Sequence, residues 1–172
     1  MDHVRSNIVL IGMPGSGKSM IGVILAKLKS LGFVDTDVLI QASQGQSLQD
    51  IVDTAGYMAL REIEKKELLN LSVQNHVIAT GGSAVYSPSA MKHLKSDGII
   101  VFLNVDLPTL KSRVCDFDNR GLAKRPDQSI ADLFDERFSL YMKYADVQID
   151  CLDATPEKVC EKIIKALKRK DF

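Results

Sequence analysis

Ile8-Val9-Leu10-Ile11-Gly12-Met13-Pro14-Gly15-Ser16-Gly17-Lys18-Ser19 is an apolar run that empties into the pattern G-x-x-x-x-G-K-[ST]. It predicts a buried strand, a glycine-rich loop and the first turn of a helix. Each residue type has a physical task in such a loop. Gly12, Gly15 and Gly17 let backbone N–H groups approach phosphate oxygens with no Cβ in the way. Pro14 and Ser16 complete the loop, and Met20 follows it on the new helix. Lys18 brings an ammonium to the β- and γ-phosphates, and the Ser19 hydroxyl can ligate a magnesium ion. The helix that begins here points the positive end of its dipole at the same anion. The stretch therefore predicts a nucleoside triphosphate site at the end of a central strand.

The rest of the chain repeats the strand–helix alternation of a doubly wound α/β domain. Strands are expected at Ile8–Ile11, Phe33–Asp35, His76–Ala79, Ile99–Leu103 and Val147–Ile149. Helices are expected at Lys18–Lys29, through Val38–Ile40 to a stop at Gly45, and at Leu48–Thr54, Tyr57–Asn70, Ile130–Tyr144 and after Thr155-Pro156-Glu157. Ser47 with Asp50 reads as a capping box, and Ser87-Pro88 and Asp106-Leu107-Pro108 as helix starts. Residues 115–129 are polar and aperiodic, and they predict an exposed mobile segment. With no linker, repeat or low-complexity stretch, residues 1–172 form one domain.

Composition excludes several classes. At 45% apolar and 26% charged, with net charge zero, the chain resembles an ordinary globular domain and carries no field to collect nucleic acid or an anionic membrane. The lysines and arginine at 165–170 suit the last turn of a helix. Three cysteines, Cys115, Cys151 and Cys160, have no metal-ligand spacing and suggest a reducing compartment. No apolar run reaches the ~20 residues a membrane span needs, and too few residues precede the first strand for a leader, so a cytoplasmic location is expected. His3, His76 and His93 stand without partner spacing for metal or a triad, and Asp53 and Asp97 read as solvated.

A phosphate loop alone does not fix a reaction. Asp35-Thr36-Asp37 closes the second strand, where open α/β sheets bind ligands. Two carboxylates two apart on an extended segment point the same way, one toward magnesium and its waters, the other toward a substrate hydroxyl. Read alone, the same residues fit a turn and a helix cap. Arg61 has Glu64 three residues on, either a surface pair of little worth or an arginine oriented to receive a carboxylate. Gly81-Gly82, also at a strand end, offers bare backbone amides to a ligand oxygen or forms a flexible turn.

Taken together, the phosphate loop, Asp35-x-Asp37, Leu60-Arg61-x-x-Glu64, Gly81-Gly82 and Glu136-Arg137-x-x-Leu140-Tyr141 occur in the order of the shikimate kinase family, which this chain resembles from about Ile8 to Pro156. The resemblance implies a three-layer α/β/α P-loop fold with a five-stranded parallel sheet in the order 2-3-1-4-5 and a mobile lid at about 115–129. It implies an enzyme that transfers a phosphoryl group from ATP, with Mg2+, to the 3-hydroxyl of shikimate. Lys18 would then neutralise phosphate charge. Ser19 and Asp35 would hold the metal, and Asp35 would take the hydroxyl proton. Asp37 would bind ring hydroxyls, Arg61 and Arg137 the carboxylate, and Gly81, Gly82 and Ser83 would lie against the substrate. Arg120 would act from the lid on the phosphoryl group, its spacing to Arg137 favouring it over Arg125, while Arg113 and Pro156 would sandwich the adenine. Nothing requires more than a monomer.

Three positions depart from the family pattern. Ser83 stands for a usual third glycine, Gly121 for the proline of the lid, which predicts a looser lid, and Leu60 for an aromatic. A kinase for another small hydroxy acid such as gluconate, and a nucleotide-binding module without turnover, are the competing readings.

Overall fold

The computed structural model describes residues 5–114 and 121–169. Its centre is strand β1 (Asn7–Ile11), buried at every position. A strand covered on both faces must be apolar throughout rather than alternating, which is why Ile8–Ile11 reads as an unbroken run. β1 pairs in parallel with β3 (His76–Ala79) on one side and β4 (Gly98–Asn104) on the other. β2 (Gly32–Asp35) and β5 (Val147–Asp150) form the edges, giving the order β2-β3-β1-β4-β5 among the described residues. The expected topology is thus borne out. Because all strands run the same way, the loops that follow β1, β2 and β3 gather at one end of the sheet, and the candidate residues lie there.

Helices close the faces in chain order: α1 (Lys18–Lys29), α2 (Thr36–Gln44), α3 (Leu48–Ala55), α4 (Tyr57–Asn70), α5 (Pro88–Asp97), α6 (Leu107–Arg113), α7 (Ile130–Tyr144) and α8 (Pro156–Lys168). Their starts follow the caps read from sequence. Ser47 and Asp50 form the capping box of α3. Ser87, Asp106 and Thr155 accept backbone amides ahead of Pro88, Pro108 and Pro156. A second capping box, Ser129 with Asp132, begins α7 and fixes the start of the helix that carries Arg137.

Two of the expectations need correction here. The cap of α2 is Asp35, which accepts the amides of Asp37 and Val38 at 3.0 and 3.4 Å. The strand therefore ends at Asp35, and Asp37 lies in the first helical turn, not on an extended segment. Asp97 is not merely solvated. Its carboxylate accepts from Ser6 and from Asn7 Nδ2 and ties the start of β1 to the end of α5.

The main core runs through both faces of the sheet. Phe102 on β4 stacks on Tyr141 of α7 at 5.1 Å and meets Phe138 edge-on at 5.8 Å. A smaller apolar cluster, Ile40, Ile51, Leu60 and Ala123, sits under α2–α4. It joins the segment after residue 120 to those helices. Leu60, the aliphatic replacement for an aromatic, is buried in this cluster at 4% exposure.

Candidate active site

The loop after β1 wraps the ammonium of Lys18. Gly15 and Gly17 take φ of 83° and 93°, a region a side chain enters only at a cost. Lys18 Nζ donates to the carbonyls of Gly12 and Met13 at 2.8 and 2.9 Å, so the cation is held by its own loop. Burial pulls its pKa down to about 8, partly countered by the Asp37 carboxylate. Ser19, one residue into α1, donates to Asp35 Oδ2 at 2.5 Å across the end of β2. One hydroxyl and one carboxylate side by side are hard oxygen donors of the kind magnesium takes together with phosphate and water.

Two cavities of about 330 Å³ each meet at this loop. One lies outside Gly15, Gly17 and Met20 and extends to Arg113, Cys151 and Pro156, so the two residues expected around a base do come together there. Cys151 was not foreseen in that wall. Burial pushes its thiol up to about 11, which keeps it neutral and apolar toward a ligand. The other cavity opens on the opposite side of the loop, between Pro14, Lys18, Ser19, Asp37, Glu64, the turn 80–83, Gly121–Ala123 and Arg137.

The turn after β3 is held rigidly from three sides. Thr80 Oγ1 donates to the Leu10 carbonyl at 3.0 Å, Gly81 N–H to Thr36 Oγ1 at 3.0 Å, and the Tyr141 hydroxyl to the Gly82 carbonyl at 2.7 Å. A side chain on Gly81 or Gly82 would have to displace the groups packed against it. A Cβ on Gly81 would meet Glu64 Oε1 at 2.3 Å and Asp37 Oδ1 at 2.7 Å, and one on Gly82 would meet Arg137 Nη1 at 2.7 Å. Two carboxylates and a guanidinium thus crowd against a bare backbone.

Arg137, 1% exposed, and Arg61 come from α7 and α4 and converge on one atom. Their Nη2 groups donate to the carbonyl of Ala123 at 3.1 and 3.0 Å. Arg61 also lies flat over Tyr86, 3.6 Å from the ring centroid. The Tyr86 hydroxyl donates to Glu136, which also receives Arg125 Nη1 at 3.2 Å and Gln128 Nε2 at 3.1 Å. Glu64, expected to orient Arg61, does not. No ion pair joins them, because Glu64 receives the Ser83 hydroxyl instead. Arg61 is oriented by Tyr86 and Ala123 instead.

Polar satisfaction differs sharply within the site. The buried side-chain atoms without a partner among the described residues are Arg61 Nε, Glu64 Oε1 and Arg137 Nε, all on the Asp37 side of the loop. Burial raises Asp37 above the ordinary carboxylate range and Glu64 to about 7. Such groups are costly to leave unmade and are answered by a ligand that carries both an anion and hydroxyls.

Arg120 lies outside the described residues, as does Cys115. Arg125, its competitor for the lid, is committed to Glu136. The segment expected to be exposed through 129 is not so at its centre. Gly121 and Ala123 are buried, and the Gly121 amide donates to Gln49 Oε1 at 2.6 Å. Gly121 has φ +62°, and a Cβ there would lie 2.5 Å from the Leu48 carbonyl carbon. Proline has neither this φ nor an N–H, so the glycine that suggested looseness in fact permits close seating. The pairing of Ser83 with Glu64, the Tyr86 ring and the Ala123 carbonyl carried no spacing signal in the sequence. Glu64 alone was recoverable, from the motif that contains it.

Residues 14–168 match the sequence profile of the family described as shikimate kinase. A shikimate kinase of Sulfurihydrogenibium sp. (strain YO3AOP1) is 36% identical over 165 residues, covering 95% of this chain and 99% of that protein. One of Thermodesulfovibrio yellowstonii is 39% identical over 167 residues, covering 95% of each. The structure of a shikimate kinase from Acinetobacter baumannii in complex with shikimate superposes with a TM-score of 0.89 at 29% identity, over 98% of this chain and 96% of that one.

Proposed function

From the premise that this chain belongs to the shikimate kinase family, we propose that it transfers the γ-phosphoryl group of ATP to the 3-hydroxyl of shikimate, giving ADP and shikimate 3-phosphate. The observation that carries this reading is the convergence of Arg61 and Arg137 on the Ala123 carbonyl, in the wall of a cavity that Arg137, Asp37 and Lys18 also line. A small acid bearing hydroxyls needs that combination: planar forks at its carboxylate, carboxylates at its hydroxyls and a cation at the incoming phosphate.

The base of ATP would lie between Arg113 and Pro156, with its phosphates over the amides of residues 15–19 and beside Met20. Lys18, now shared between two loop carbonyls, would exchange them for β- and γ-phosphate oxygens. Ser19 and Asp35 would hold Mg2+, which supplies charge neutralisation at the phosphates when bound. In the acceptor cavity Asp37 would accept from a ring hydroxyl, Arg61 and Arg137 would take the carboxylate, and Gly81, Gly82 and Ser83 would back the ring. The acceptor hydroxyl oxygen forms a bond to the γ-phosphorus as the bond from that phosphorus to the β,γ-bridging oxygen breaks. The hydroxyl proton passes to Asp35 and ADP departs. Arg120, by the family pattern, would stabilise the phosphoryl group from the lid. We further propose a cytoplasmic monomer, in keeping with the described residues, none of whose helices is long and apolar enough to cross a membrane.

The test is ADP release measured with shikimate, with gluconate and with no acceptor, the product's phosphate position being read by NMR. Only shikimate should drive ATP consumption, and turnover of gluconate alone sinks the proposal. Arg61→Ala should raise the KM for shikimate by about 30-fold or more while leaving that for ATP near its starting value. Equal loss of both would make Arg61 a structural residue.

A further inference from the structure

We propose that Ser83 is a positioning residue for the acceptor: its hydroxyl pins the Glu64 carboxylate as the wall between the acceptor cavity and a second cavity behind it, presenting the free carboxylate oxygen to a substrate hydroxyl. The inference rests on the acceptor-site reading given above and adds a determinant to it.

The second cavity, about 270 Å³, lies beyond α4 and is lined by Met58, Arg61, Lys65, Tyr86 and the start of α5. Glu64 and Ser83 are the two residues that line both cavities, and the hydrogen bond between them is the partition. Both are buried, at 3% and 8% exposure. Ser83 occupies Glu64 Oε2. The other oxygen, Oε1, has no partner and is packed against the Cα of Gly81, next to Asp37 Oδ1. A buried carboxylate oxygen left open beside a second carboxylate has a use only if a donor arrives, and the donors of a polyhydroxy acid are its hydroxyls.

Among the described residues, the Ser83 hydroxyl is the one hydrogen-bond donor to the Glu64 carboxylate. The space behind it is large enough to receive the carboxylate and is bordered by the cations Arg61 and Lys65. Rotation into that space removes an acceptor from the substrate side and opens the wall. The serine stands where the family usually has glycine, so this chain supplies a tether that a glycine cannot.

The tether also bears on ionisation. The groups facing Glu64 are Asp37 from α2, Lys18 from α1, Arg137 from α7 and Ser83 from the turn after β3. Burial and Asp37 favour the protonated acid, while the Ser83 bond, Arg137 and Lys18 favour the carboxylate. Loss of the serine hydroxyl therefore moves Glu64 toward the protonated form at neutral pH.

The experiment compares wild type, Ser83→Ala, Ser83→Gly and Ser83→Thr, each with Glu64 intact and in a Glu64→Gln background. The readouts are kcat and KM for shikimate and ATP from pH 6 to 9. The Ala and Gly variants should raise the KM for shikimate about tenfold, the scale of a hydrogen bond to a charged group. The KM for ATP should stay put, the acid limb of kcat/KM should move to higher pH, and Thr should restore both. In the Glu64→Gln background the same substitutions should change KM less than about twofold, because the two residues act as one unit. Additive losses in that background, or a stationary acid limb, overturn the proposal. A 13C titration of the Glu64 carboxyl in ligand-free protein provides an activity-independent check. Its midpoint should rise in Ser83→Ala, and an unchanged midpoint also overturns the proposal. A wild type that ignores shikimate defeats the functional reading instead, and leaves this titration to judge the tether.

Discussion

The phosphate loop and the acceptor pocket face each other across Lys18 and solve the problem of binding in opposite ways. The loop is one continuous stretch whose chemistry is mostly backbone, and it is satisfied without its ligand: Lys18 already has two carbonyl partners. The acceptor pocket is assembled from α2, α4, the turn after β3, the segment 121–123 and α7, and its chemistry is in side chains. It is not satisfied. Arg61, Arg137 and Glu64 each keep a buried polar atom without a partner. The loop therefore binds by exchanging equivalent partners, and the pocket by supplying partners that are missing. Affinity for the acceptor should depend on individual side chains far more than affinity for the nucleotide does.

The largest effect that sharpens this contrast is on turnover. Lys18→Met should lower kcat by about 10²–10³-fold, the scale of removing one preorganised charge from a transition state. The ammonium's partners in the resting protein are only its own loop carbonyls, so folding should survive. The KM for shikimate should stay close to wild type, measured by ADP release at saturating ATP. A large rise in that KM would mean that the two halves are not separable at Lys18, and the contrast would break there.

The same division explains what was legible in the sequence. The loop could be read whole because its residues are contiguous and its φ demands select glycine. Asp35, Asp37, Gly81 and Gly82 were legible because they sit at strand ends, where the topology gathers ligand residues. The two arginines were legible only through the family pattern, since nothing local tells a surface arginine from one that reaches across the fold. The partner of Arg61 was misread as Glu64 because i,i+3 spacing shows which residues share a helix face, not which neighbour from elsewhere is better placed. Tyr86 and the Ala123 carbonyl are such neighbours. The lid position was misread for a related reason. Glycine at 121 raises the freedom of an isolated chain, but its value here is that a backbone amide and a left-handed φ fit against Leu48 and Gln49.

That seat provides the next test. Ala123 is the shared acceptor of both arginines, and Gly121 fixes the path of the chain that carries it. Gly121→Ala puts a Cβ into the Leu48–Gln49 backbone and a side chain into the left-handed region, at about 1–2 kcal/mol for the latter alone. Thermal unfolding of the ligand-free protein should fall by several degrees, at ~2–4 °C per kcal/mol for a chain of this size. The KM for shikimate should rise while that for ATP holds. An unchanged melting temperature would show that 121–123 leaves its seat at no cost, and that the pocket is less built than the contacts imply.

The smallest effect is the most specific to the unsatisfied half. Glu64 titrates at about 7 in the folded protein against an ordinary 4.5, because burial disfavours its carboxylate. A raised carboxyl contributes stability that is fully present below pH 4.5 and is lost as pH rises toward 7, since the unfolded chain releases the proton first. Lys18, lowered to about 8, acts in the opposite sense above that pH, and because the Glu64 charge is the smallest of the influences on it, it differs little between proteins that differ only at residue 64. Glutamine is neutral at every pH and close in shape to the protonated acid. Glu64→Gln should therefore melt with wild type below pH 4.5 and above it at pH 8, with the gap opening between pH 4.5 and 7. Shikimate should shrink the gap at pH 8, because a bound hydroxyl stabilises the charged carboxylate more than the neutral amide. A gap that is constant with pH would mean that Glu64 is not held in the environment that makes the acceptor half hungry for its ligand.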